Sequence, residues 1–328
     1  MRRFILVVLT LAACAVAVGA EDNSETLLYL GCGERIKHPV IGYGKLYTTD
    51  WKGNVLREVK LEGVPAAIGV SGREVLVAIP NTSKVASLPK TGQLVGINEE
   101  GEVYTFSFDR NFVADPCSMA IRENPFEVFM ADGTTDYVAG MTADGKTRKY
   151  FANRGGDGTV YQHISIAITN ELLLVATEYP RPGVYAVKLG DGTASRERKR
   201  LLERDGSVAS IRGTNRWAAT QIKHMNMYGP NQKDGKEAVH VFEGTKEVMT
   251  IYCGRGQRLS YDGLLTPCGT NFIVAFKHKE GSYLHLVDLK RRTFVPLFVW
   301  KGDPLTCIAV RMETTRTASR SPKVAVKE

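Results

Sequence analysis

The chain has 328 residues, 43% of them apolar and 24% charged, the balance of an ordinary globular protein rather than a disordered, collagenous or coiled-coil one. That length fits two average domains or one large all-β unit, and either buries a sizeable core. The net charge of +8 falls to about +4 once residues 1–20 and 313–328 are set aside, too little and too scattered for a nucleic-acid footprint.

Met1-Arg2-Arg3 is a positive leader, Phe4 to Val18 an apolar stretch, and Val18-Gly19-Ala20 precedes the polar Glu21-Asp22-Asn23. This order predicts a secretory signal peptide over residues 1–20 and a secreted product. The apolar stretch of about 15 residues is short of the roughly 20 that span a bilayer, and no later segment qualifies, so no transmembrane span is expected. Leu11-Ala12-Ala13-Cys14 offers an alternative, a lipid anchor on Cys14.

Beyond the leader, apolar segments recur at Val64–Val70, Asp115–Ile121, His163–Ile168, Val208–Ile211, Leu259–Leu265 and Leu305–Val310. A period of 40 to 50 residues is the mark of propeller blades. After a short polar turn each of the first five is followed by a β-branched or aromatic run: Glu74–Ile79, Glu127–Met130, Leu172–Thr177, Trp217–Gln221 and Phe272–Phe276. Third and fourth strands follow at Gly92–Ile97 with Glu102–Phe108, Tyr137–Met141 with Thr147–Phe151, Ala238–Phe242 with Glu247–Tyr252, and Ser282–Leu289 with Thr293–Trp300. The unit after Thr177 gives a third strand at Gly183–Leu189, followed by the charged Arg196–Arg200, read as a solvated strand or loop face.

Thr26–Leu30, Lys45–Trp51 and Asn54–Leu61 are one strand short of a blade, and Leu305–Val310 is a lone strand. Together they complete a ring without an open sheet edge at the seam. The prediction is an all-β fold: one six-bladed propeller of four-stranded blades over residues 21–312, with helix nearly absent. Two unrelated β-sandwiches are the competing arrangement. The polar, Ser/Thr-rich residues 313–328 are expected to be a disordered tail.

Five cysteines lie outside the leader. Cys32 with Cys307 would clamp the closing blade, Cys253 with Cys268 would form a second disulfide, and Cys117 is left over; the alternative is that all five are buried thiols acting as small apolar residues. No spacing suits a structural zinc site, and Asn81-Thr82-Ser83 is the single N-glycosylation sequon.

Ligands of propellers gather where the channel opens, beside the innermost strands. The polar residues there are Asp115, His163, Asp205 and Asp262, with Gln162 and Tyr261 next to them. Asp115, His163 and Asp205 together could hold Ca²⁺ or Zn²⁺, with His163 as ligand or base, and Gln162, Tyr261 and Asp262 would line a binding surface. Asp115-Pro116 and Asp205-Gly206 also read as plain turns. No GxSxG elbow, phosphate loop or HExxH occurs. His224 to Gly235 is a long insertion in the fifth blade and a candidate recognition loop.

Asp205-Gly206-Ser207-Val208-Ala209 followed by Asn215-Arg216-Trp217-Ala218-Ala219, and Asp115–Ile121 followed by Glu127–Asp132, resemble the blade pattern of the gluconolactonase/senescence-marker-protein superfamily, which NHL and strictosidine-synthase-type propellers share. The resemblance implies a six-bladed propeller and a divalent metal at the channel mouth serving lactone or ester hydrolysis. The family's metal set is a Glu, two Asn and an Asp; Asp205 falls at the Asp, His163 where an Asn is expected, Asp115 near the other, and Glu34 is the nearest Glu. The sequence is therefore read as a secreted propeller that binds a small molecule or a protein through its channel mouth, with a metal-dependent lactonase or esterase as the alternative.

Overall fold

A computed structural model describes residues 26–33, 43–80, 92–106, 116–132, 137–152, 163–177, 183–189, 199–203, 206–222, 237–254, 257–259, 264–278 and 280–312. The signal, the sequon, the 224–235 insertion and the tail lie outside them. The described residues contain strands and turns and no helix.

Twenty-four strands form six antiparallel four-stranded sheets. The first sheet combines the chain's two ends: β1 (Thr26–Cys32), β2 (Gly44–Thr49) and β3 (Val55–Leu61), with β24 (Leu305–Met312) on the inner side of β1. Blade 2 is β4 (Ala67–Ser71), β5 (Glu74–Ile79), β6 (Gln93–Ile97) and β7 (Val103–Thr105). Blade 3 is β8 (Pro116–Glu123), β9 (Phe126–Asp132), β10 (Tyr137–Thr142) and β11 (Thr147–Ala152). Blade 4 is β12 (His163–Ile168), β13 (Leu172–Thr177), β14 (Gly183–Lys188) and β15 (Lys199–Leu202). Blade 5 is β16 (Val208–Ser210), β17 (Arg216–Gln221), β18 (Ala238–Glu243) and β19 (Lys246–Tyr252). Blade 6 is β20 (Leu265–Cys268), β21 (Asn271–His278), β22 (Gly281–Asp288) and β23 (Thr293–Trp300). The expected composite blade closes the ring as anticipated, with Leu28 opposite Val310 and Leu30 opposite Ile308.

Two strands depart from the expected positions. Blade 6 opens at Leu265, not Leu259, which makes only an isolated bridge to Phe276. The charged run ending at Arg200 leads into a true outer strand, β15, exposed at Lys199 and Arg200.

The second strand of each blade is apolar on both faces because each face packs on a different neighbour. In β5, Val75, Val77 and Ile79 join the cluster with blade 1, while Leu76 and Ala78 join the cluster with blade 3. In β13, Leu173 and Val175 turn toward blade 3, and Leu172, Leu174 and Ala176 toward blade 5. The core is six such clusters, one between each pair of neighbouring blades. A side-chain period of two, read across a sheet buried on both faces, gives continuous apolar runs in place of alternation.

The innermost strand of every blade presents a free edge to the axis, whose N–H and C=O groups need partners. Hydroxyls from adjacent blades supply several. The Ile166 N–H donates to Ser118 Oγ (3.0 Å), and Ser165 Oγ accepts from the Val208 N–H (3.1 Å) and donates to its carbonyl (3.4 Å). Ser210 Oγ donates to the Ile168 carbonyl, and Thr306 Oγ1 donates to the Pro65 carbonyl on the link to blade 2 (2.6 Å), with the Gly31 carbonyl of its own blade also within reach at 3.0 Å.

Candidate functional site

Antiparallel order gives the ring two unlike faces. Where each inner strand turns into the second strand, the connections are tight, as at residues 72–73, 124–125 and 269–270. Gly72 (φ 56°) and Gly213 (φ 69°) take the left-handed conformation such turns need. The opposite, loop face carries the links between blades and the connections between second and third strands. Of the seven connections of ten residues or more between described strands, six (33–43, 80–92, 106–115, 153–162, 222–237, 253–264) join strand ends on the loop face and one (189–198) joins strand ends on the turn face.

The inner strands begin on the loop face, at Ala67, Pro116, His163, Val208, Leu265 and Leu305. Of the expected site residues, only His163 falls within them, as the first residue of β12, its backbone paired with Thr177. Asp115, Gln162, Asp205, Tyr261 and Asp262 lie outside the described residues. Among the described residues no group of three or more His, Cys, Asp or Glu is placed to hold a metal ion.

The described polar cluster on this face sits at the seam between blades 6 and 1. Lys45 Nζ lies 3.3 Å from Asp303, 3.4 Å from Glu58 and 3.1 Å from the Tyr47 hydroxyl, which donates to Asp303 at 2.9 Å. Trp300 packs on Tyr47 with ring centroids 4.8 Å apart, and its Nε1–H donates to the Asp303 carbonyl. Hydrogen bonds to Tyr47 and then Asp303 hold the Lys45 ammonium well above its usual range, while burial, with Asp303 alongside, pushes Tyr47 up. At neutral pH both stay protonated donors between two carboxylates. The arrangement suits hydrogen bonding to a polar ligand. Lys45 and Tyr47 were legible as i, i+2 neighbours on one face of a strand; Asp303, 256 residues from Tyr47, was not.

Within blade 5, buried His240 faces two oxygens, Gln221 Oε1 and Glu247 Oε1, each at 2.9 Å. Burial would raise the Glu247 carboxyl, but the bonds from Thr250 and His240 outweigh it and hold it low.

Neither expected disulfide is formed among the described residues: Cys32 is not bonded to Cys307, nor Cys253 to Cys268. Cys307 lies opposite Gly31 in the ladder and faces blade 2, whereas Cys32, one position on, points to the other face, toward blade 6. Strand alternation separates them even on neighbouring strands. Cys253 packs against the cluster between blades 5 and 6, and Cys268 against the one between blades 6 and 1. Burial pushes both thiols up to about 12.

On the turn face the inner-strand ends meet across the axis. Arg212, from blade 5, donates to Glu123 of blade 3 and to the Val70 carbonyl of blade 2, the blade diametrically opposite. Arg311, near the end of β24, donates to the Arg73 carbonyl (3.3 Å) and to Glu99 (3.4 Å), which also pairs with Arg73 at 3.0 Å. Arg122 donates to buried Glu127, which accepts from the Tyr150 hydroxyl as well, and its guanidinium lies 5.5 Å over the Phe129 ring.

Fold and faces together define a six-bladed β-propeller with a loop-bearing mouth and an arginine-lined one. Comparison with solved structures agrees on the fold. A propeller in a nidogen/laminin complex aligns with TM-score 0.57 at 13% identity, covering 87% of this chain and 97% of that one. TolB from Acinetobacter baumannii aligns with TM-score 0.56 at 12% identity, covering 88% of this chain and 67% of that one. A putative 6-phosphogluconolactonase from Bacteroides fragilis reaches TM-score 0.48 at 13% identity, covering 88% and 98%, too distant to carry an argument about activity. No family model and no curated protein sequence matches the chain. The shared fold is thus established, and membership of the gluconolactonase superfamily is not.

Proposed function

We propose that the chain is a secreted binding module that takes a small-molecule or protein ligand at the loop-side mouth of its channel, with the segment from His224 to Gly235 in the contact surface. The asymmetry of the faces supports this reading. Six of the seven long connections join strand ends on one face of a ring whose inner edges are tied blade to blade, so that face combines long segments with a rigid base. Lys45, Tyr47 and Asp303 add donors and acceptors to the same face. The nidogen/laminin complex offers a precedent for a propeller of similar shape assembling with another protein.

Two measurements test the reading. Thermal-shift screening against sugars, metabolites and extracellular proteins should find a stabilising ligand whose effect falls at least tenfold when residues 224–235 are replaced by a short turn. Elemental mass spectrometry of protein made through a secretory route should find no stoichiometric divalent metal and unchanged melting in chelator. Calcium or zinc near one per chain, lost in Asp205→Ala, would overturn the reading in favour of a metal-dependent lactone or ester hydrolase.

A further inference from the structure

One outer hairpin on the turn face breaks a backbone rule that three others obey. The turns between the third and fourth strands of blades 1, 2 and 3 each take the left-handed conformation at a glycine, Gly53 (φ 85°), Gly101 (φ 88°) and Gly145 (φ 76°). In blade 6 the turn from β22 to β23 takes it at Arg292 (φ 55°), the single non-glycine residue with positive φ among the described residues. A Cβ crowds the backbone in that conformation, and glycine removes the conflict. The turn would close more easily on glycine, and strain of this kind marks segments whose side chains have a use.

Arg292 is the last of three consecutive cations, Lys290, Arg291 and Arg292, all exposed. Several other basic side chains of this face are paired: Lys146 with Asp144 (2.7 Å), Arg216 with Glu243 (3.0 Å), Arg73 with Glu99 (3.0 Å) and Arg212 with Glu123. Lys290 and Arg292 pair with nothing among the described residues, and Arg291 reaches Asp288 only at 3.8 Å. The Asp288 carboxylate is 15% exposed and accepts from the turn's own Arg291 N–H at 2.9 Å. The exposed charges of the tip are therefore all positive, and two of them are planar guanidinium forks that match the oxygens of sulfate or carboxylate.

The surroundings of the tip select among polyanions. The corresponding turn of blade 2 carries Glu99, Glu100 and Glu102, so a planar anionic bilayer seated across the face would meet carboxylates as well. The tip holds no aromatic ring on which a nucleobase could stack. A linear chain needs only to cross the exposed tip. We propose that the β22–β23 turn docks a linear acidic polysaccharide, bearing sulfate or carboxylate groups, through Lys290, Arg291 and Arg292. The site lies on the face opposite the loop-side mouth and stands independently of what binds there; it rests on secretion only for where such a polymer is met.

The test titrates the full chain, free in solution, with fluorescently labelled heparin as the sulfated probe and polygalacturonate as the carboxylated one. A saturable complex that weakens as salt rises is expected with one or both. Lys290→Gln, Arg291→Gln and Arg292→Gln should each weaken it about threefold, and the three together at least tenfold. Lys146→Gln, which removes a turn-face cation from blade 3 on the opposite side of the ring, should leave it unaltered. Arg292→Gly separates docking from a structural role: it should weaken the complex as much as Arg292→Gln while leaving Tm unchanged or up to about 2 °C higher. No saturable complex, or a loss in the triple variant no larger than in Lys146→Gln, would overturn the site and leave only the general attraction of a basic chain to a polyanion. A fall in Tm in Arg292→Gly would assign the arginine to the fold and overturn it too. Tighter binding to phosphatidylglycerol vesicles or to oligothymidylate than to both polysaccharides would overturn the choice of partner in favour of a bilayer or a nucleic acid.

Discussion

Ser165→Ala isolates what ties the blades together at the axis. The Ser165 hydroxyl is buried, accepts from the Val208 N–H at 3.1 Å and donates to the same residue's carbonyl at 3.4 Å, bridging blades 4 and 5. Val208 is itself 4% exposed, so removing the hydroxyl leaves a buried donor without an acceptor. Orphaning a buried N–H costs about 1–3 kcal/mol, the lost hydrogen bond included, and the near-complete burial of this donor puts the loss in the upper part of that range, on the order of 2–3 kcal/mol. With an unfolding entropy of about 2.1 cal/mol/K per residue, a domain of roughly 290 residues then melts about 3–5 °C lower. Ser210→Ala should cost less, about 1 kcal/mol, because its hydroxyl only donates to the Ile168 carbonyl and an unmet C=O is less demanding than an unmet N–H. Calorimetry gives the Tm, and amide hydrogen exchange gives the site: in Ser165→Ala the Val208 amide should exchange at least tenfold faster than in the wild type. A Tm within 1 °C of wild type with Val208 still protected would refute the reasoning and mean that channel water replaces the hydroxyl at no cost.

Gly31→Ala should destabilise the closing blade by about 1–3 kcal/mol through overpacking, since a Cβ there would overlap Cys307 Sγ and crowd Pro65 and Ile68; Cys307→Ala should restore most of the loss, as read by urea unfolding. Cys268 should make stability fall in alkali. Its thiol sits at about 12 when folded against an ordinary 9.0, so the folded state keeps a proton that the unfolded chain gives up. Stability from this group is complete below pH 9.0 and is lost as pH rises toward about 12, by up to about 1.4 kcal/mol per pH unit. Urea midpoints at pH 8 and 10 should differ less in Cys268→Ala than in wild type, and an identical slope would exclude the thiol as the cause.

The blades were legible in the sequence because a strand buried on both faces must be apolar at consecutive positions, as Leu172–Thr177 and Phe272–Phe276 are. The outer strand β15 was legible only as a solvated strand or loop face, because Lys199 and Arg200 face solvent and only Leu201 and Leu202 carry an apolar signal. Leu259–Leu265 looked like an opening strand by spacing, yet apart from the isolated bridge at Leu259 the ladder with β21 begins at Leu265, opposite Val274. Cysteine counting missed alternation, which sends Cys32 and Cys307 to opposite faces. The arginine mouth could not be found by motif. Arg212 lies 142 residues from Val70, and only ring closure brings opposite blades within one side chain's reach.

The ends of the ring have a practical consequence. Thr26, at the start of β1, is paired with Met312, at the end of β24, and Met312 packs beside Gly269 on the turn face. Whatever is joined to either end of the propeller therefore departs from the same side. An affinity tag, a fused domain or a lipid anchor on the chain would hold the disc from beneath, like a plate on its stand, with the loop face turned outward to its surroundings. Immobilised through either end, the protein would offer its loops to a ligand in flow and shade its arginines.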